Sequence, residues 1–181
     1  AADGGKVKER YNGSGATVRG FNVEGRAAFT RWFELQAGVT LQQSRYKEPE
    51  FWSEDAEVPP VRRMFRTPDA YGYFTASFKP VRNFTADLSG TCTGSMLVQH
   101  MAGSGVAQDV AVSTPSFFDM NIRLSYDVRI YKEITMQLYG GVQNLFNAYQ
   151  KDFDKGVDRD SGYIYGPSLP RSWFVGAKFS F

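Results

Sequence analysis

Phe84-Thr85-Ala86-Asp87-Leu88-Ser89-Gly90-Thr91-Cys92-Thr93-Gly94-Ser95-Met96 is the stretch on which the fold turns. One row of alternate positions carries Phe84, Ala86, Leu88, Cys92 and Met96. The other carries Thr85, Asp87, Ser89, Thr91, Thr93 and Ser95, with no apolar residue interrupting it. Successive side chains of an extended strand point to opposite faces, so this sorting predicts a strand with one apolar and one polar side.

The same period extends outward along the chain. Across the short connection Lys79-Pro80-Val81-Arg82-Asn83 lies a partner, residues 71–78, with Phe74, Ala76 and Phe78 on its apolar row. Upstream, Phe21, Val23, Gly25, Ala27 and Phe29 face Asn22, Glu24 and Arg26. Past Thr30-Arg31-Trp32 the rows resume as Phe33, Leu35, Ala37, Val39 and Leu41, predicting one hairpin. Downstream, Phe118, Met120, Ile122, Leu124 and Tyr126 turn through residues 129–132 into Ile134, Met136, Leu138 and Val142. A last strand alternates Trp173, Val175, Ala177, Phe179 and Phe181. Seven strands of about ten to thirteen residues result, longer than those of an ordinary soluble sheet.

The connections alternate as well. Three are short turns. The other three, near residues 44–69, 97–115 and 147–169, are long, rich in Gly, Pro and charge, and read as structureless loops. Short turns at one end and long loops at the other, with strands long enough to cross hydrocarbon at a tilt, is the layout of an antiparallel transmembrane β-barrel. A soluble barrel with the apolar row turned inward is the competing all-β reading, because period two alone does not say which face is covered. Seven strands put the two chain ends on opposite sides of the membrane. A closed bacterial barrel needs an even number, so the expectation is either the carboxyl-terminal part of a larger barrel or an eight-stranded one with an unseen first strand. Residues 1–16 are read as a loop remnant, and 17–181 as the barrel segment.

Composition narrows the function. The 181 residues are 15% aromatic and 22% charged, which gives ample buriable surface and excludes a disordered chain. With 21 basic and 19 acidic side chains there is no basic field for nucleic acid. Cys92 and His100 are the only residues of their types, so no disulfide within the chain and no cysteine-based zinc cluster is expected. No apolar run approaches the length of a membrane-spanning helix. The start at Ala1-Ala2-Asp3-Gly4, without a signal sequence, is read as that of a cleaved or truncated product.

Gly141-Val142-Gln143-Asn144-Leu145-Phe146-Asn147, a loop, Pro170-Arg171, and then Val175-Gly176-Ala177-Lys178-Phe179-Ser180-Phe181 resembles the end of a TonB-dependent outer-membrane receptor. The segments 88–91 and 94–96 are similar to strand-to-loop passages of that family. Residues 150–154 with Tyr163-Ile164-Tyr165-Gly166-Pro167 resemble receptors of Bacteroidetes-type bacteria. The resemblance implies a 22-stranded barrel filled by an amino-terminal plug in the outer membrane of a Gram-negative cell. It further implies uptake of a metal chelate such as a ferric siderophore or haem, or of cobalamin, energised by the TonB system through the plug. Plug and TonB-contacting box are not in this chain. A stand-alone small barrel with a structural or surface-binding role is the alternative, and a barrel-embedded hydrolase a remote one. The chain is not expected to be an enzyme or to hold a cofactor.

Several residues stand out as candidates. Trp173, Val175, Phe179 and Phe181 resemble the terminal signal read by the barrel-assembly machinery, which pairs with an edge strand. Trp32, Phe33, Phe84, Tyr131 and 173–181 are expected near the short turns, and Tyr46, Phe51, Trp52, Tyr71, Phe117 and Phe118 near the long loops, as two aromatic girdles against outer-membrane lipid. Trp52, Arg62 and Arg63 lie inside a long loop, where they are candidates to touch a ligand or the plug. Asp152, Asp154, Asp158 and Asp160 alternate like the ligands of a hard cation. Gly156 is one place early for an EF-hand, and Tyr163 stands where the bidentate acid belongs, so a solvated loop with local ion pairs is the favoured reading there. His100 lies near Ser95, Ser104 and Ser113 without a nucleophile elbow and is read as a loop histidine with no task. Cys92 is read as lipid-facing. Asp87, Asp119, Arg123 and Asp127 form a charged interior set.

Overall fold

A computed structural model describes residues 13–181. The elements are β1 (Ala16–Thr30), β2 (Phe33–Glu50), β3 (Val61–Arg63), β4 (Ala70–Phe78), β5 (Phe84–Thr93), β6 (Leu97–His100), β7 (Val110–Ser113), β8 (Phe117–Tyr131), β9 (Ile134–Gln143) and β10 (Ser172–Ser180). The loop remnant expected at 1–16 lies largely outside the described residues, and Ala16 already opens β1. The main sheet is antiparallel throughout, in the order β1-β2-β4-β5-β8-β9-β10, with β3 added to β2. Every strand of the main path pairs with its neighbour along that path, as a meander barrel wall requires.

The register carries the apolar rows straight across the sheet. Ala27 opposes Leu35, Leu35 opposes Ala76, Ala76 opposes Leu88, Leu88 opposes Ile122, Ile122 opposes Val142, and Val142 opposes Trp173. A slip of one residue anywhere would break this ribbon, because it would turn a whole strand over. The face that carries this ribbon is not packed as a core: Phe21, Val39, Leu124, Leu138 and Phe179 on it are exposed, Val175 is 90% exposed, and of the ribbon's own residues only Val142 is buried. This is the barrel-wall arrangement, with the apolar face turned outward rather than packed on itself.

The opposite face is cross-linked by polar groups. Asn22 donates to Thr40 (2.7 Å), Gln36 to Glu24 (2.9 Å) and to Tyr73 (3.2 Å), Ser77 to Asp87 (2.6 Å), and Arg26 pairs with Glu34. Arg123 donates to Gln137 (3.2 Å), which donates to Asp127 (2.9 Å), and its guanidinium lies 4.5 Å over the Tyr139 ring. Aromatic rings on this face lie over glycines in adjacent strands: Tyr73 over Gly38 and Tyr139 over Gly176, and Phe174 reaches over Gly141. A ring covering a glycine restores contact area that the strand would otherwise lack.

Three expectations need correction. The long connections are not structureless: β2 runs on to Glu50, β3 adds to it, and β6 with β7 forms a hairpin of its own. At 18 residues and roughly 3.3 Å each, β2 far exceeds the hydrocarbon thickness, so its second half, paired with β1 and β3, continues the sheet past the end of β4. Trp173 is not near the short turns. It is the second residue of β10, opposite Val142 at the long-loop end, because one strand must cross the full height before reaching Phe181. Phe117 is not a girdle residue either but is buried within the loops.

Gly141 and Gly25 provide an internal control on sheet packing. A Cβ at Gly141 would stand 2.0 Å from the Ile122 carbonyl oxygen, whereas one at Gly25 meets nothing within 4 Å. Gly141→Ala is expected to lower unfolding stability by about 1–3 kcal/mol, as overpacking does. Gly25→Ala should stay within about 0.5 kcal/mol. Urea unfolding of the two variants from lipid vesicles makes the comparison.

Candidate functional site

Among the described residues, all the buried apolar side chains except Val142 of β9 lie in the loops or at their junction with β8. Val98 of β6, Phe117 at the start of β8, and Tyr163 and Tyr165 from the last long loop pack together, with Met96, Val112 and Ala148 around them. Val98 is fully buried. A sheet that shows its apolar face to lipid cannot also supply a core, so the loops build their own.

The Asn144-Leu145-Phe146-Asn147 element is the corner from which the last loop springs. Both asparagines take left-handed backbone, φ 48° and 53°, which Asn tolerates better than most residues. The buried Asn144 side chain then closes the loop at both ends. Its amide donates to the carbonyls of Ala148 (2.9 Å) and Leu169 (2.8 Å), and its oxygen accepts the Ala148 amide (2.8 Å). Asn147 accepts the Arg171 amide (3.0 Å), and the Asn144 amide itself donates to Asn121 of β8 (2.9 Å). These bonds explain why asparagines stand at both positions.

His100 has a task after all. It is buried, stacks face to face on Tyr163 with ring centroids 3.7 Å apart, and its Nε2 lies 2.9 Å from Asp154 Oδ1. Sequence reasoning missed this because nothing local announces a partner 54 residues away. Around it the acidic run is divided among structural duties. Asp152 accepts both the Tyr163 hydroxyl (2.7 Å) and the Tyr165 hydroxyl. Asp154 also accepts the Asp160 amide (3.0 Å), and Asp160 accepts the amides of Met101 (2.8 Å) and Gly162 (2.8 Å). The Asp158 carbonyl accepts the Ser104 amide (3.0 Å). Among the described residues no three His, Cys, Asp or Glu side chains gather as metal ligands, so the structure does not bring the four aspartates together on a cation.

The electrostatics follow from these bonds. Burial, then the hydrogen bond to Asp152, pushes Tyr165 up to about 12, and the same causes raise Tyr163 further. Both phenols therefore stay protonated donors at neutral pH. Burial pushes Asp152 up, but the two phenols outweigh it and hold its carboxyl below the usual aspartate value. The Asp160 amide, then His100, hold Asp154 down, and the Ser53 hydroxyl, then the Ala102 amide, do so for Asp109.

The first long loop is tied into the same assembly. Ser53 donates to Asp109 (2.6 Å), and Arg66 donates to the Ile164 carbonyl (3.0 Å) and the Gly162 carbonyl. Of the three expected ligand contacts, Trp52 is half-buried, edge-on to Phe65 at 5.3 Å, and its indole donates to Pro59 O (3.3 Å). Arg63 is held by Asp69 (3.1 Å) and Ser95 O (2.7 Å). Arg62 alone of the three is exposed. Trp52 and Arg63 are thus engaged within the protein, and Arg62 is left facing solvent. The structure does form a cavity of about 230 Å³ where the polar face meets the loops, lined by Thr91, Thr93, Met96, Thr114, Phe117 and Asp119 among others. Asp119 Oδ1 has no hydrogen-bond partner there, so a donor arriving from elsewhere would be welcome.

No protein-family model matches the sequence, and no curated protein does. Among solved structures the chain is similar to the ferric-catecholate import receptor Fiu of Escherichia coli K12, in its closed form. The TM-score is 0.63 at 20% identity over 90% of this chain. The likeness is one of fold and supports a TonB-dependent-receptor-like barrel wall. The chain spans about a fifth of the length of that receptor, 20% of it.

The loop assembly has a testable pH dependence. Asp152 and Asp154 have depressed values in the folded state, so their contribution is full above the ordinary aspartate value near 4 and is lost as pH falls through the folded values. Amide exchange at Ser104 and Asp160, corrected for intrinsic rates, should lose protection in that acid range. At neutral pH Tyr163→Ala should cost at least about tenfold in protection, and Tyr163→Phe, which keeps the ring stack, distinctly less.

Proposed function

We propose that this chain is the carboxyl-terminal part, about a third of the barrel strands, of a 22-stranded, plugged TonB-dependent receptor in the outer membrane of a Gram-negative bacterium, of Bacteroidetes type. The complete receptor would take up a scarce chelate, a ferric siderophore in preference to haem or cobalamin. The observation that carries this reading is the apolar face in register across all seven strands, on which Phe21, Val39, Leu124, Leu138, Val175 and Phe179 are exposed. The fold likeness to a ferric-catecholate import receptor supports it and favours the siderophore.

Within that reading the parts have distinct duties. The apolar face meets lipid. Asp87, Asp119, Arg123 and Asp127 look into the lumen toward the plug, which links to TonB, and the unpartnered Asp119 oxygen is the place for a plug or ligand donor. The loops act as one preassembled cap rather than three independent arms, with Arg62 as its outward cation. Trp173, Val175 and Phe179 are exposed on a last strand paired along one edge by β9, and with Phe181 they offer the other edge to the barrel-assembly machinery. No catalytic duty is assigned to any residue.

The full-length protein should partition with the outer membrane. Deleting its gene should abolish iron-limited growth on the receptor's ferric siderophore, and collapsing the proton gradient should stop uptake by the intact strain. Recovery in the soluble fraction, or undiminished growth of the deletion strain on ferric siderophores, haem and cobalamin alike, would contradict the proposal.

A further inference from the structure

The turn end of the sheet holds a groove that transport leaves unexplained. It has a volume of about 510 Å³ and is lined by Arg31, Trp32, Lys79, Val81, Arg82 and Phe84, among others, from two adjacent turns. Arg31, Lys79 and Arg82 are all exposed, and none has a carboxylate within ion-pair distance among the described residues. The acids nearby are otherwise engaged: Glu34 is held by Arg26, and Asp127, which also lines the groove, accepts from Gln137. An adjoining cavity of about 460 Å³ shares Arg82 and adds Arg129 and Lys132 against Glu133. Positive charge is therefore concentrated on one rim of a chain whose formal net charge is only +2.

One wall of the groove, formed by Trp32, Val81 and Phe84, is apolar and continues the lipid-facing side, while Thr85 and Asp127 close it from the lumen-facing row. Trp32 packs edge-on to Phe78 at 5.2 Å and 85°, beside Phe33, and is still half-exposed; Val81 is exposed next to it. An indole with one apolar and one polar edge marks the level where hydrocarbon gives way to headgroups. Cations immediately beyond that level meet phosphates. Guanidinium forks suit phosphate oxygens in paired hydrogen bonds, and the ammonium of Lys79 adds a point charge. A free phosphate would use the cations but have no use for the Trp32–Phe78 wall.

We propose that this rim binds the headgroup of an anionic phospholipid of the leaflet that meets the turns, with Arg31, Lys79 and Arg82 on the phosphate and the acyl chains along Trp32 and Phe78. The inference rests on the membrane-barrel reading above and adds to it a lipid preference at a named site. Each cation should contribute about fivefold, the usual size for a basic side chain at an anionic surface.

The test uses full-length protein extracted from membranes, with native mass spectrometry of bound lipid. The probes are phosphatidylglycerol, phosphatidylcholine with the same acyl chains, and inorganic phosphate. Wild-type protein should retain phosphatidylglycerol over phosphatidylcholine, and inorganic phosphate at equal concentration should not displace it. Arg31→Gln, Lys79→Gln and Arg82→Gln combined should remove the preference, and each single change should weaken it. Arg62→Gln at the loop end should leave it intact. The unheated gel mobility of the folded barrel identifies correctly folded variants, and the single changes serve if the triple variant does not fold. Equal retention of the two lipids, an unchanged preference in the variants, or displacement by inorganic phosphate would overturn the inference while leaving the barrel in place. A protein that stays soluble without detergent would instead overturn the membrane reading itself.

Discussion

Hydrocarbon offers no hydrogen bonds, and every other feature of this chain follows from that. A backbone crossing such a medium must satisfy its amides within the protein, which only paired strands or helices achieve, and side chains turned toward the medium must be apolar. Strands cross with a period of two, so one residue in two is committed to lipid and the next to water. The cross-sheet row from Ala27 to Trp173 and the polar network from Asn22 to Gln137 are the two sides of that commitment. Neither side resembles the interior of a soluble protein, and neither needs to.

With the apolar face facing outward, stability above the membrane has to come from elsewhere. The three long connections provide it by meeting one another. Phe117, Tyr163, Tyr165 and Val98 form a small apolar nucleus, His100 Nε2 and both ends of the Gln150 amide bring buried polarity that is paired, and Asn144 fixes where the last loop leaves and returns. Glycines permit the close approach: a Cβ at Gly105 would collide with the Asp154 carboxylate, and one at Gly166, φ +85°, with the Phe117 ring. A cap locked in this way presents a shaped surface without first paying to order three separate loops, which is the general advantage of preorganisation.

How much of this was legible in the sequence depends on whether the signal was local. Strand identity, face and pairing were, because alternation is printed residue by residue, and Phe84 to Thr93 pairs as its rows require. The Asn144–Asn147 element was legible as a resemblance, and the structure supplies its reason. The loop architecture was not. The His100–Tyr163 stack joins segments more than fifty residues apart, and the β6–β7 hairpin, though local, is a short one in a polar loop and carries too little periodicity to declare itself. The alternating aspartates show the same limit: spacing by twos suits a cation, whereas the bonds these carboxylates make, with Tyr163 of the same loop and with Met101 and His100 of another, exist only in the folded chain.

The proposition under all of this is that Phe84, Ala86, Leu88 and Cys92 look into lipid and Thr85, Asp87, Ser89 and Thr91 into water. Spin labels placed one at a time along residues 84–92, using the single native cysteine at 92 and a Cys92→Ser background for the rest, measure it in the vesicle-reconstituted full-length protein. The account expects collision rates with oxygen to peak at the first set and those with a water-soluble nickel chelate at the second. The reverse alternation, or no alternation at all, would contradict it.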